Sequence, residues 1–288
     1  MPADAPTRRR VLLFVLLIAP GLLFLVLFFF APLARMAAIS FLRYSPSDIW
    51  LPEFTLANYA RFGSRYYLRA AGNTVAIASA VTCVCIMLGY PFAYFLARIP
   101  ANRLAPYMFV LISPLMMSSV VLVLGWVILL GPSGPIVQAL QAAGLEGVKL
   151  LYSRPAIVLG LSELLLPFMV LPLLSAIENV HPSLEEAARN LGANGAAIFR
   201  RVILPMSRPG LVSGSLLVFS LALGSLVVPA LLGGPRDAMI GNVIYEEVMS
   251  SLNWPFAAAI ALMLLVVTSA TMAVYLRYSR KLARPRAA

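Results

Sequence analysis

One histidine, two cysteines and two lysines are all this chain offers of the side chains that most often act as nucleophiles, bases or phosphate ligands. Neither H-E-x-x-H nor G-x-S-x-G occurs, so metalloprotease and serine-hydrolase chemistry lack their residues. No G-x-x-x-x-G-K-[ST] is present, and the lysines, Lys149 and Lys281, stand far from any glycine-rich loop, so nothing here could cradle a nucleotide's phosphates. Cys83 and Cys85 lie two apart in an apolar run, where a helix points them to different faces; they read as small apolar residues, not a disulfide or a metal pair. Two acidic features remain. Glu163 is a single carboxylate deep in an apolar segment, and Glu185-Glu186 follow four and five residues after His181. For Glu163 two readings stand open: a group facing a translocation path and passing a cationic solute, with Pro167 one turn on, or a hydrogen-bonded glutamate packed against another helix or subunit.

The surroundings of these residues are set by lipid. The 288 residues are 61% hydrophobic and 11% charged, with a mean hydropathy of +0.91, against about 25% charged residues in an ordinary soluble domain. Too few charges exist to build a water-facing surface. Six segments are long and apolar enough to cross about 30 Å of hydrocarbon: residues 11–33, 71–97, 104–130, 155–177, 209–232 and 255–275. Pro20, Pro91, Pro114, Pro167 and Pro172 fall inside them as expected kinks. Arg8-Arg9-Arg10 before the first segment resembles a signal peptide, but the run is longer than a signal core and no A-x-A site follows, so a retained signal anchor is expected.

Charge sets the orientation. With the N-terminus inside, the inner segments 1–10, 98–106, 179–208 and 277–288 hold 14 Lys and Arg, and the outer segments 34–69, 131–154 and 233–254 hold 8. That bias predicts both termini in the cytoplasm. The basic residues sit between apolar runs and not along one polar face, which argues for membrane lipid and against nucleic acid behind the net charge of +11. Trp50, Tyr66, Tyr67, Tyr152 and Trp254 fall near outer boundaries, and Tyr275 and Tyr278 near an inner one, as interface anchors. The chain is therefore expected to be an all-α integral membrane protein of six spans. A secondary carrier would need inverted repeats and several buried groups for its coupling ion, whereas Glu163 stands alone at depth.

The loop between spans four and five, residues 181–205, is the richest in signals. Ser183 is expected as an N-cap with Glu186 completing a capping box, and Glu185 and Glu186 favour the positive end of the helix dipole. Leu184, Ala187, Ala188 and Leu191 recur at helical spacing on one side. Gly192 should end the helix in the left-handed conformation, with Ala193 following. A second helix is expected near 196–204, carrying Phe199, Val202 and Leu204, with Pro205 stopping it. Small alanines on an open helix face suit a docking knob; an amphipathic helix resting on the bilayer fits equally well.

The run Glu186-Ala187-Ala188, Gly192 and Val202-Ile203-Leu204-Pro205 resembles, at fixed spacing, the EAA loop (E-A-A-x3-G-x9-I-x-L-P) of permease subunits of binding-protein-dependent ABC importers, with Val202 in place of the usual Ile. The stretches Leu165–Leu173, Ile240–Ile244 and Asn253–Phe256 are similar to the polyamine-type branch, the spermidine/putrescine permeases. The resemblance implies a type I, MetI-like core over residues 70–276, with 1–10 a cytoplasmic N-terminus, 11–33 the first span, 34–69 a periplasmic loop and 277–288 a basic tail. It implies a dimer of ATPase subunits docking on the loop, a second, different permease completing the pore, and a periplasmic or lipid-anchored solute-binding protein. No cofactor is expected on this chain; ATP and Mg belong to the ATPase.

Overall fold

The computed structural model describes residues 16–145 and 147–283. The arginine triplet, the start of the first span and the last five residues lie outside them, as do the side chains of Tyr275 and Tyr278. The chain divides into two compact units.

One unit runs up to Gly63 and includes Ile244–Met263. It includes α1, Leu16–Ser40, which ends seven residues beyond the expected limit at Leu33, with a π turn at Val26–Phe30. The expected loop after it is folded: an antiparallel hairpin, β1 (Leu42–Ser45) and β2 (Ile49–Phe54), then a short helix α2 (Ala57–Phe62). Asn58 ties these together, its side-chain amide donating to the carbonyls of Ser40 and Leu42 at 2.8 and 2.9 Å. Arg61 donates to the Glu247 carboxylate at 3.2 Å and lies 4.3 Å from the Phe256 ring centroid. The Trp50 and Trp254 rings meet at 6.5 Å.

The second unit, Ser64–Val243 with the residues from Leu264 on, holds α3 (Arg65–Leu96), α4 (Leu104–Met116), α5 (Ser119–Leu130), α6 (Pro135–Ala142), α7 (Arg154–Glu178), α8 (Pro182–Asn190), α9 (Gly195–Leu223) and α10 (Val227–Leu232). The last two helices, α11 (Ile240–Met249) and α12 (Trp254–Ala283), run from one unit's residues into the other's. Six stretches among the described residues are long and apolar enough to cross a membrane: α1, α3, α7, α9, α12 and Ser119–Ala142, which joins α5 and α6 and replaces the expected third span 104–130. Two expected spans are divided. The third breaks at Met117 and Ser118, both extended, three residues past Pro114, whose ring denies its helix a regular last turn. The fifth ends at Leu223; Gly224 caps it, and the chain restarts as α10. The Asn242 side-chain amide donates to the carbonyl of Leu226 at 3.2 Å, alongside the Ala230 N–H, and Gly241 allows the approach, since a Cβ there would meet the Ser225 carbonyl at 2.6 Å. Through Pro91, Pro167 and Pro172 the helices continue. Tyr67, expected at an interface, is buried.

The core lies where α3, α7 and α9 meet, around Val81, Cys85, Met169, Leu173 and Val218. Lipid tails are as apolar as leucine, so membrane helices associate by close packing of small residues. Gly210 and Gly214 supply this on α9 at the spacing of a small-x-x-x-small motif. A Cβ on Gly210 would stand 2.4 Å from the Ala176 Cβ and 2.5 Å from the Pro172 carbonyl, and one on Gly214 would stand 2.9 Å from Met169 Sδ. Polar residues in the spans bond to their own helix: Thr74, Ser79, Thr82, Ser215 and Thr268 each donate to the carbonyl four residues back at 2.7–2.8 Å. The other end of the unit is stapled by charge. Arg154 donates to Asp237 and Asn73, each at 2.7 Å, and the Asn73 amide donates to the Arg236 carbonyl.

Because the α7–α9 contact is backbone-tight, Gly210→Ala is expected to destabilise the purified protein by about 1–3 kcal/mol. A thermal-unfolding midpoint in detergent equal to that of the parent chain would contradict this packing.

Candidate functional site

The loop between α7 and α9 forms a compact hook in the second unit. Helix α8 begins at His181, not at Ser183. His181 Nδ1 accepts from the Ser183 backbone N–H at 3.3 Å, and the Ser183 hydroxyl bonds to the same nitrogen at 2.8 Å. Pro182 explains the shift. Its fixed φ and missing N–H fit the first helical position, which makes the preceding residue the cap. Ser183 therefore sits inside the helix and the expected capping box with Glu186 does not form; Glu186 points to solvent.

The apolar side of α8 is open, as its small alanines suggest. Leu184, Ala187 and Leu191 are exposed, Leu191 by 89%, and only Ala188 of that set turns partly inward. The residue buried beneath the helix is Glu185. Its carboxylate accepts from the Tyr94 hydroxyl at 3.0 Å and from Arg98 Nε at 3.1 Å, with a further bond from the second guanidinium nitrogen. The Arg98 guanidinium lies 5.4 Å from the Tyr94 ring centroid. Both partners come from the end of α3 and the residue beyond its cap. A buried carboxylate is tolerable only when its oxygens are occupied and its charge is met, and these two side chains do both. Sequence reading missed them, although Tyr90, Tyr94 and Arg98 recur every four residues on one helix face, a visible polar stripe at the end of an apolar span.

Gly192 adopts φ +82° as expected. The Ala193 N–H bonds back to the Ala188 carbonyl at 3.0 Å and the Gly192 N–H to Arg189 at 2.9 Å, the paired bonds of a Schellman stop. The Asn194 side chain then caps α9 through the Ala197 N–H at 2.9 Å. Pro205 does not stop this helix. The turn from Phe199 to Ile203 widens into a π turn, the Leu204 N–H reaching the Phe199 carbonyl, and the helix runs on to Leu223. In a regular turn the proline ring would strike the carbonyl four residues back; widening removes that clash. Ile198 and Ile203 are buried, Val202 and Leu204 half-buried, and the Phe199 ring stands edge-on to Tyr90 at 5.1 Å. Tyr90 bonds to Ser207 on α9, closing a second link between the loop and α3. The loop is thus held on α3 at two places, while Leu184, Ala187 and Leu191 are left open.

Glu163 and Pro167 lie elsewhere, on α7. Pro167 is buried; Glu163 is half-buried and accepts from the indole N–H of Trp126 on α5.

The second unit is thus a bundle of long apolar helices carrying a latched helix hook whose Leu184, Ala187 and Leu191 are exposed. Residues 86–284 match the family model for the binding-protein-dependent transport system inner membrane component, and the chain belongs to that family. It is 37% identical over 260 residues to the spermidine/putrescine transport system permease protein PotB of Salmonella typhimurium (strain SL1344), covering 90% of this chain and 91% of that one. It is 32% identical to the inner membrane ABC transporter permease protein YdcU of Escherichia coli (strain K12), over 94% of this chain and 89% of that one. In fold it is similar to a chain of a bacterial ABC transporter involved in the import of alginate, with a TM-score of 0.73 at 21% identity over 96% and 98% of the two chains. The chain is an inner-membrane permease subunit of an ABC importer, a transport protein.

Two outcomes follow from the hook's geometry. Glu185→Ala leaves the partly buried Arg98, whose side chain is 24% exposed, without its counter-charge, at a cost of about 2–4 kcal/mol. Transport should fall at least about tenfold with membrane insertion intact, and the swap Glu185→Arg with Arg98→Glu should recover part of it; uptake by Glu185→Ala equal to the parent's would contradict the latch. Gly192→Val costs about 1–2 kcal/mol or more in the left-handed region, and should abolish uptake in an assay that the parent chain passes; parental uptake by the variant would contradict the need for this turn.

Proposed function

We propose that this chain is a permease subunit of a polyamine importer and that the hook at 181–205 is where the ATPase drives it. The observation that carries the reading is the hook itself: a rigid helix stopped at Gly192, anchored through Glu185, with Leu184, Ala187 and Leu191 free to enter a cleft on another protein. Both ends of the chain lie in the cytoplasm, as the Lys and Arg bias supports, and residues 70–276 form the conserved transmembrane core. ATP and Mg are bound and used by a pair of ATPase subunits, since this chain has no phosphate-cradling loop. A second, different permease completes the pore, and a periplasmic or lipid-anchored protein delivers the solute. Solute identity is supported by the relatives named for spermidine and putrescine and by the carboxylate of Glu163 at membrane depth, near Pro167 on α7, along the path.

The mechanism is alternating access. When the two ATPase subunits close on ATP they move the hook. The Glu185–Arg98 pair and the Tyr90–Phe199 contact pass that motion to α3, and the continuous α9 passes it into the bilayer. Nucleotide can shift the pore only through contacts that differ between its two states; the open face of α8 supplies them.

The test is affinity purification of a tagged copy in mild detergent, followed by uptake of labelled spermidine and putrescine in cells lacking other polyamine importers. An ATPase with a phosphate-binding loop and a second six-span permease should co-purify, and uptake should need both. Recovery of the chain alone, with transport in liposomes free of ATPase, would overturn the reading.

A further inference from the structure

Four carboxylates among the described residues are paired with arginine, all of them outside the candidate membrane spans. Glu53 meets Arg43, Glu247 meets Arg61, Glu185 meets Arg98 and Asp237 meets Arg154. Glu163 lies within a described span and forms no ion pair among the described residues. It sits nine residues into α7, about 14 Å along the helix axis, which puts it well inside the hydrocarbon. Its one hydrogen bond among the described residues comes from the indole N–H of Trp126, a neutral donor on α5. That bond occupies one lone pair and leaves the charge without a counter-ion. Both side chains are half-buried and so retain an open side.

An intramembrane carboxylate of this kind is expensive, and such residues face a protein interior or a watery cavity and meet a cation there. No basic side chain of the described chain fills that role. The neighbour that is present, a tryptophan, is the aromatic ring with the strongest attraction for a cation over its face. A carboxylate and an indole held side by side offer an alkylammonium group the two contacts it takes best, a charge-assisted hydrogen bond and a cation–π contact.

We infer that Trp126 and Glu163 form a binding subsite for the protonated amine of the transported solute. The inference rests on the importer reading and deepens it. With no solute present, the indole N–H holds the carboxylate in place. An arriving ammonium group takes over the carboxylate oxygens, and cations are thereby preferred over neutral or anionic solutes at this point of the path.

The complex of this chain with its ATPase and second permease, purified in nanodiscs without the binding protein, is assayed by equilibrium dialysis with labelled spermidine, putrescine and choline, and with glutamate as an anionic control. Saturable binding of at least one amine, and none of glutamate, is expected. Glu163→Gln should weaken amine binding about tenfold or more, the loss of one charge-assisted contact, and Trp126→Leu about threefold to fivefold. Co-purification of the ATPase and an unchanged unfolding midpoint establish that each variant is folded. Absence of amine binding by the parent complex, or equal binding by Glu163→Gln, would overturn the subsite. The importer reading fails separately: amine binding lost only in the variants, with no ATP-dependent polyamine uptake by the parent chain, keeps the subsite and removes the polyamine solute. ATP-dependent uptake with Glu163→Gln indistinguishable in affinity and rate keeps the importer and removes the subsite.

Discussion

Taking a glutamate out of water costs several kcal/mol unless its oxygens are filled and its charge is met. The hook of this permease is built around one such glutamate. Glu185 accepts from Tyr94 and from Arg98, and those partners come from the end of a span that the loop would otherwise only touch. A loop held by apolar contact alone could slide on the membrane surface. A loop held by a carboxylate gripped from two sides has a direction as well as an affinity, since the guanidinium and the phenol fix the carboxylate's plane. Displacing α8 then requires either moving α3 with it or exposing an unpaired charge, and the second is the dearer choice.

The rest of the second unit gives that motion something stiff to act on. Helix α9 runs without a stop from the hook to Leu223, the π turn at Phe199–Ile203 absorbing Pro205. Its glycines bring it against α7 at backbone distance. Interfaces of this kind are bistable and do not deform continuously, so a small shift at one end is carried as a unit. The staple of Arg154 with Asp237 and Asn73 holds another place where chain segments meet, again with a charge that is costly to strand.

Much of this was legible in the sequence. The six spans follow from composition, and the family follows from the spacing of Glu186, Ala187, Ala188, Gly192 and Leu204-Pro205. Gly192 was legible because only a left-handed stop explains a glycine there. What failed did so for identifiable reasons. Ser183 looked like the cap because its residue type is right, but Pro182 claims the first helical position and moves the cap to His181. Pro205 looked like a stop because an α-helix cannot hold it, but a π turn can. The apolar side of α8 was legible as an open face, but the burial of Glu185 beneath it was not, because its partners Tyr94 and Arg98 lie at the end of α3, 91 and 87 residues earlier. The break after Pro114 and the interruption of the fifth span at residues 224–226 were invisible to hydropathy, which reads length and not continuity.

The central claim, that the open face of α8 enters an ATPase, is tested most directly by cross-linking. Leu191 is almost fully exposed, so Leu191→Cys in a chain whose own cysteines have been replaced should be joined by a short bifunctional reagent to an ATPase subunit in native membranes, with a yield that changes when ATP is added. A Leu191→Cys chain that reacts freely with a soluble maleimide, yet forms no cross-link to any ATPase with or without nucleotide, would contradict the account.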